Sequence, residues 1–221
     1  MRRLLVLRPE PGASATVKRA RERGLNAMCA PLFEIEPLQW QAPDASAFDG
    51  LLLTSANALR QGGEQLQRLR GLSVYAVGDA TADAVREAGF ELRATGNSGV
   101  DRLLASIEAD VELLHLSGEH RREPEHARQR ITSIAVYRSR PLEAPELSKA
   151  SGSVALVHSP RAGRRFAELV TDRESIAIVA ISEDAAEAVG RGWESVGIAN
   201  APNDQALLAL ASSLCNKPQP K

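Results

Sequence analysis

Short apolar runs recur along the chain at residues 3–7 (RLLVL), 27–29 (AMC), 50–53 (GLLL), 73–77 (SVYAV), 91–94 (ELRA), 111–116 (VELLHL), 153–157 (SVALV), 175–181 (SIAIVAI) and 195–199 (SVGIA). Between them the spacing turns helical. Thr81, Ala84, Val85 and Ala88 fall at i, i+3, i+4 and i+7 and stop at Gly89, a residue suited to a left-handed helix cap. Leu207, Leu208, Ala211 and Leu214 repeat the pattern near the C-terminus. Strand-length runs alternating with helices predict βα units and parallel sheets, and there are too many runs for one compact sheet. Two sheets are expected.

A repeat supports that division. Thr54-Ser55-Ala56-Asn57-Ala58 aligns with His158-Ser159-Pro160-Arg161-Ala162 at an offset of 104 positions. The same offset places Ala76-Val77-Gly78 on Ala180-Ile181-Ser182, and Leu103-Leu104-Ala105 on Leu207-Leu208-Ala209. It also places PLFEIEPL (residues 31–38) on AVYRSRPL (135–142), with one local slip of a residue at Gly89 and Gly192. Both of those segments alternate as strands do and end in Pro-Leu, so each reads as an extended crossover between lobes, the pair forming a hinge. Lobe one is then expected from residues 1–35 and 139–221, and lobe two from 36–138.

Composition narrows the function classes. The chain has 221 residues, 43% of them apolar, which suffices for packed cores. No apolar run approaches the roughly 18 residues of a membrane span, and the N-terminal apolar stretch is too brief for a signal peptide, so a cytoplasmic location is expected. Cys29 and Cys215 form no CxxC and suggest neither a disulfide framework nor a thiolate metal site; His115, His120 and His126 lack ligand spacing as well. A net charge of −1 removes the whole-molecule basic field of a nucleic-acid binder. Interactions must be local.

In open parallel sheets ligands bind beyond the carboxyl ends of the strands. Thr54-Ser55-Ala56-Asn57, Gly78-Asp79-Ala80-Thr81, Ser117-Gly118-Glu119 and His158-Ser159-Pro160-Arg161 each follow an apolar run, and most open a helix. Hydroxyls, amides and unpaired backbone N–H groups there suit carboxylates or phosphates at the positive end of a helix dipole. The same residue types also serve as plain helix N-caps. A site of such donors can hold a polyanion in one conformation while the ligand's own reactivity drives the reaction.

The ordered set LLVLRPEPG, PLFEIEPL, DGLLLTSANAL, YAVGDATADAVREAGF, LHLSGEHRRE, AVYRSRP and VALVHSPRAGRRFAEL resembles the uroporphyrinogen-III synthase family from residue 4 to about residue 214. The resemblance implies an α/β fold of two flavodoxin-like parallel-sheet lobes joined by a two-stranded crossover. It implies a hydro-lyase that cyclises hydroxymethylbilane to uroporphyrinogen III with loss of water and inversion of ring D. No cofactor or metal is implied, and a monomer is expected.

By resemblance, Tyr137 is the residue for direct chemistry, its phenol serving the departing hydroxyl; packing of the hinge is its other reading. Thr54, Ser55, Asn57, Gly78, Thr81, Ser117, Gly118, His158, Ser159 and Ser182 are the implied contacts to carboxylates or pyrroles, mostly through the main chain. Arg8, Arg138 and Arg161 are the implied charge partners. The chain departs from the family pattern twice. Ser182-Glu183-Asp184-Ala185 replaces a threonine-containing turn, and the segment from Ser117 to Ile134 is short, with Pro124 set to interrupt a helix, which leaves the roles of Arg121 and Arg122 open. A non-catalytic two-lobed module for a polyanionic small molecule is the rival reading; scarce aromatics argue against a flavin.

Overall fold

The computed structural model describes residues 1–96, 99–121, 124 and 127–216. Arg122, His126 and residues 217–221 lie outside the described residues. Along the chain run β1 (Leu4–Val6), α1 (Gly12–Glu22), β2 (Ala27–Cys29), β3 (Phe33–Pro37), β4 (Gly50–Leu53), α2 (Asn57–Gln61), β5 (Val74–Val77) and α3 (Asp79–Glu87). There follow β6 (Leu92–Gly96), α4 (Val100–Ala105), β7 (Glu112–Gly118), β8 (Arg130–Pro141), β9 (Val154–Val157), α5 (Pro160–Leu169), β10 (Ala177–Ala180), α6 (Glu183–Ala188), β11 (Ser195–Ile198) and α7 (Asp204–Cys215). Two compact units result, one made of Met1–Glu34 with Pro141–Lys221 and the other of Ile35–Arg140.

The first unit holds a parallel sheet in the order β11-β10-β9-β1-β2, with Val6 opposite Leu156 and Ala180 opposite Val157. Its central strands β1, β9 and β10 are apolar on both faces because both faces are covered. Leu4, Val6, Val154, Leu156 and Val179 pack against α1 and α7 through Val17, Ala20, Leu207 and Ala211. Leu5, Leu7, Ala155, Val157 and Ile178 face the other way, onto Ala162 and Phe166 of α5 and Ala185 of α6.

The second sheet runs β3-β8-β7-β4-β5-β6, parallel from β8 through to β6. The repeat has a structural meaning here. With β4, β5 and β6 set over β9, β10 and β11, the strand beside β4 is β7, whereas the strand beside β9 is β1. The same neighbourhood is therefore built from chain following the repeat in one unit and preceding it in the other. In register, Leu52 pairs with His115 and Leu156 with Val6, so Ser117 occupies the place of Arg8.

One face of the second sheet, Leu51, Leu53, Val74, Ala76, Leu114 and Leu116, packs on α2 and α3 through Leu59, Ala82 and Val85. The other is more thinly covered, with Leu52 and Leu113 under Leu103 and Leu104 of α4. The cause lies between β7 and β8. No helix stands there among the described residues, where the first unit places α1 between β1 and β2.

Candidate active site

In each sheet the winding reverses between two adjacent parallel strands, β7 and β4 in the second unit and β1 and β9 in the first; this is where an open sheet leaves a crevice beyond its strand ends. In the second unit that crevice is bordered by Thr54 to Asn57, after β4, and by Ser117 and Gly118, which end β7. Thr54 Oγ1 lies 3.1 Å from Nε2 of buried His115, whose Nδ1 lies 3.3 Å from Ser133 Oγ. A polar chain therefore crosses three strands and orients the Thr54 hydroxyl. Ser55 Oγ accepts from the Asn57 N–H at 3.2 Å, which shapes the turn into α2. Ser117 is buried and its hydroxyl donates to the Ile134 carbonyl at 3.5 Å.

Tyr137 is set by the next residue. A β-bulge interrupts the β7–β8 register, taking it from Ser117 opposite Ala135 to Gly118 opposite Tyr137. Bulges re-aim side chains at strand ends. The tyrosine ring then lies on the bare Cα of Gly118, where a Cβ would come within 2.8 Å of Cε2 and 2.9 Å of Cζ. The Glu119 N–H donates to the Tyr137 carbonyl at 2.9 Å and closes the strand end. Gly78, at φ 83°, leads into α3, whose Thr81 is buried on the core-facing side. Arg138 is engaged by Glu36, with Nε and Nη2 both 2.9 Å from Oε2, while Arg140 Nε takes Oε1 at 2.7 Å. Arg138 first, then Arg140, holds the Glu36 carboxyl below its ordinary range.

In the first unit Arg8 follows β1 and His158 follows β9. His158 Nε2 lies 3.0 Å from Asp204 Oδ1, in the first turn of α7. Arg8 Nη1 donates to the same oxygen at 3.4 Å, and Oδ2 accepts from Thr16 Oγ1 at 2.6 Å and from Arg19 Nη2. Burial would raise the Asp204 carboxyl, but the hydrogen bonds from His158, Thr16 and Arg19 outweigh it and hold it far below the carboxylate range. Burial pushes the His158 imidazole down, against the opposing pull of Asp204.

Ser159 and Ser182 are N-caps, accepting from Ala162 N at 3.2 Å and Ala185 N at 3.3 Å. The Arg161 guanidinium stands over the Phe33 ring, 4.5 Å from its centroid. Most of the expected hydroxyls thus have internal partners, and so do the backbone N–H groups of Asn57, Gly78 and Glu119, while the Arg8 guanidinium stays partly exposed. Asp204, Thr16 and His115 are functional candidates that sequence reasoning missed. Asn203-Asp204 before an apolar helical pattern reads only as a cap, and the signal available for His115 was a lone histidine inside an apolar strand.

The two titrations act in the same direction. In both, the unfolded chain holds its proton more tightly than the folded one, so stability falls with falling pH. His158 contributes from about pH 6.5 downward to its lowered folded value, and Asp204 from about pH 3.9 downward. Thermal melting of wild type and Asp204→Asn across pH 7.5 to 3 should show a gap that is widest above about pH 5 and narrows below about pH 3.9. A gap unchanged over that range would mean that the Asp204 charge contributes nothing to folding.

The fold and these strand ends can be set beside known proteins. The family described as Uroporphyrinogen-III synthase HemD matches residues 14–209. A uroporphyrinogen-III synthase of Chlorobaculum parvum is 30% identical over 101 residues, 42% of this chain and 41% of the relative, so the chain spans under half the length of that curated relative in the match. The crystal structure of uroporphyrinogen-III synthetase from Helicobacter pylori superposes with a TM-score of 0.67 at 18% identity, over 97% of this chain and 100% of that one. A mutant uroporphyrinogen III synthase from Thermus thermophilus gives 0.53 at 17%, over 98% and 100%. At those identities the superpositions establish the two-lobed parallel-sheet fold, and the match over residues 14–209 establishes that the chain belongs to the uroporphyrinogen-III synthase family.

Proposed function

We propose that this chain is a uroporphyrinogen-III synthase, a cyclising hydro-lyase that converts hydroxymethylbilane to uroporphyrinogen III. The observation that carries the reading is Tyr137, seated on Gly118 at the carboxyl end of β7 within a chain matched to the family along most of its length. The C–O bond of the hydroxymethyl group breaks and the hydroxyl takes the phenol proton and leaves as water; the proton that ring D releases on final closure restores the phenol. The azafulvene cation left behind closes spontaneously at the free end of ring D to the symmetric isomer. Attack at the substituted carbon of that ring instead gives a spiro intermediate, and its fragmentation and recombination invert the ring.

The protein's task is to place the substituted carbon nearest, a matter of proximity and orientation. Tenfold selection between closures requires only about 1.4 kcal/mol of differential transition-state binding, which a few carboxylate contacts supply. Backbone donors beside Thr54, Ser55, Asn57, Gly78, Ser117 and Gly118 in one unit, and beside His158, Ser159 and Ser182 in the other, are the groups assigned to those contacts. Monomeric, cytoplasmic action on hydroxymethylbilane belongs to the same proposal; the substrate and the monomer rest on the family assignment, and the location on the short apolar runs of the sequence.

Incubation with freshly generated hydroxymethylbilane, followed by separation of the porphyrin isomers, should give the unsymmetric isomer III as the major product. Dominance of the symmetric isomer at stoichiometric protein would reduce the chain to a polyanion-binding module.

A further inference from the structure

Asp204 is the most heavily engaged carboxylate of the first unit. Its two oxygens accept from His158, Arg8, Thr16 and Arg19, drawn from the end of β9, the end of β1 and two positions on α1. One carboxylate thus faces two guanidinium groups, with His158 held toward its neutral form by burial, so the cluster carries a formal charge of +1. The surplus is not evenly distributed. The side chains of His158 and Asp204 are 7% and 15% exposed, whereas that of Arg8 is 37% exposed and makes one hydrogen bond among the described residues, the long one to Asp204.

The guanidinium is also fixed from below. Its Nε and Cζ would lie 2.6 and 3.0 Å from a Cβ at Gly12, so it rests on the bare first residue of α1. Arg8 and His158 follow adjacent strands at the winding reversal. Among its described residues the second unit has nothing equivalent: Ser117 stands where Arg8 does, and Val100 falls in the repeat register of Asp204.

We infer that Asp204 is a positioning residue that, with Gly12, holds Arg8 at the carboxyl edge of the first sheet as an under-neutralised receptor for a carboxylate of the ligand. An arginine held in one orientation accepts a carboxylate through paired N–H donors without first losing the rotamer freedom of a long side chain. The inference rests on the proposed reading for the identity of the ligand as a polycarboxylate. It assigns to a partly buried acid, which acts through Arg8, a share of affinity for an anion.

The sign of that effect makes the test sharp. Asp204→Asn adds one net positive charge; if the cluster worked only as a field, a polyanion would bind more tightly. If Asp204 works through Arg8, binding weakens. Binding of uroporphyrin III, an octacarboxylate porphyrin, followed by fluorescence titration at pH 7.5, should weaken about tenfold in Arg8→Ala, in Asp204→Asn and in Gly12→Ala. The double variant Arg8→Ala/Asp204→Asn should be no weaker than Arg8→Ala, because both changes remove one contact. Arg8→Lys should recover part of the loss. Binding by Asp204→Asn as tight as wild type or tighter, or fully additive losses in the double variant, overturns the inference. Should Asp204→Asn fail to fold, as judged by circular dichroism, Gly12→Ala decides alone: it keeps every charge and displaces only the guanidinium, so unchanged affinity there overturns it too. Wild-type protein that makes no isomer III yet shows these affinity changes would sink the proposed activity and leave this inference standing.

Discussion

Tyr137→Phe should lower the rate of hydroxymethylbilane turnover about tenfold to a hundredfold while the isomer ratio stays that of the wild type. Hydroxyl departure and ring orientation are assigned to different groups, the phenol and the strand-end donors, so rate and selectivity should separate. The loss is modest for a general acid because the hydroxyl also leaves unaided. Gly118→Ala is the companion change. A Cβ there meets the ring at 2.8–2.9 Å, closer than carbon atoms pack, and the ring must shift. Gly118→Ala should therefore slow the Tyr137 enzyme and have little effect in the Tyr137→Phe background, where the group being misplaced is already gone. Single-turnover rates with isomer separation measure both quantities. A Tyr137→Phe enzyme as fast as wild type would remove the phenol from the mechanism.

Phe166→Ala should cost about 3–5 kcal/mol of stability in the first unit. Phe166 is fully buried on α5 beneath β9 and β10, and it stacks on Trp193 with centroids 5.4 Å apart and planes inclined by 7°. Trp193 is anchored through its Nε1–H to the Val189 carbonyl at 3.0 Å and so cannot follow into the space left by the ring. The lost stacking adds to the cavity. Urea unfolding followed by Trp193 fluorescence, in a Trp40→Phe background, should show the midpoint falling by about 1–3 M. A loss below about 1 kcal/mol would mean that α5 and α6 collapse onto the vacancy.

Much of this molecule was legible in the pattern of apolar positions. Runs such as GLLL and SVALV are strands because, in a parallel sheet covered on both faces, every side chain of a central strand is buried and no alternation survives. The offset of 104 positions placed β4 over β9, and Ser159 was recognisable at a helix start from its residue type, whereas Ser182, expected only as a ligand contact, proved to be a cap as well. Pro124 foretold the want of a helix among the described residues between β7 and β8.

Tertiary structure decided which side chains meet. Periodicity reports which face of an element is buried and says nothing about its neighbour, so the exchange of β7 for β1 beside the repeated strand appears only once the sheets are paired. Hydroxyls that looked available at strand ends have partners inside: Thr54 at His115, Ser117 at the Ile134 carbonyl. Asp204 reaches His158 across 46 residues and Arg8 across 196. A hydrogen bond or ion pair depends on distances of about 3 Å and on direction, and such distances between residues far apart in the chain are set by the packing of whole sheets and helices, a property that no local stretch of sequence contains.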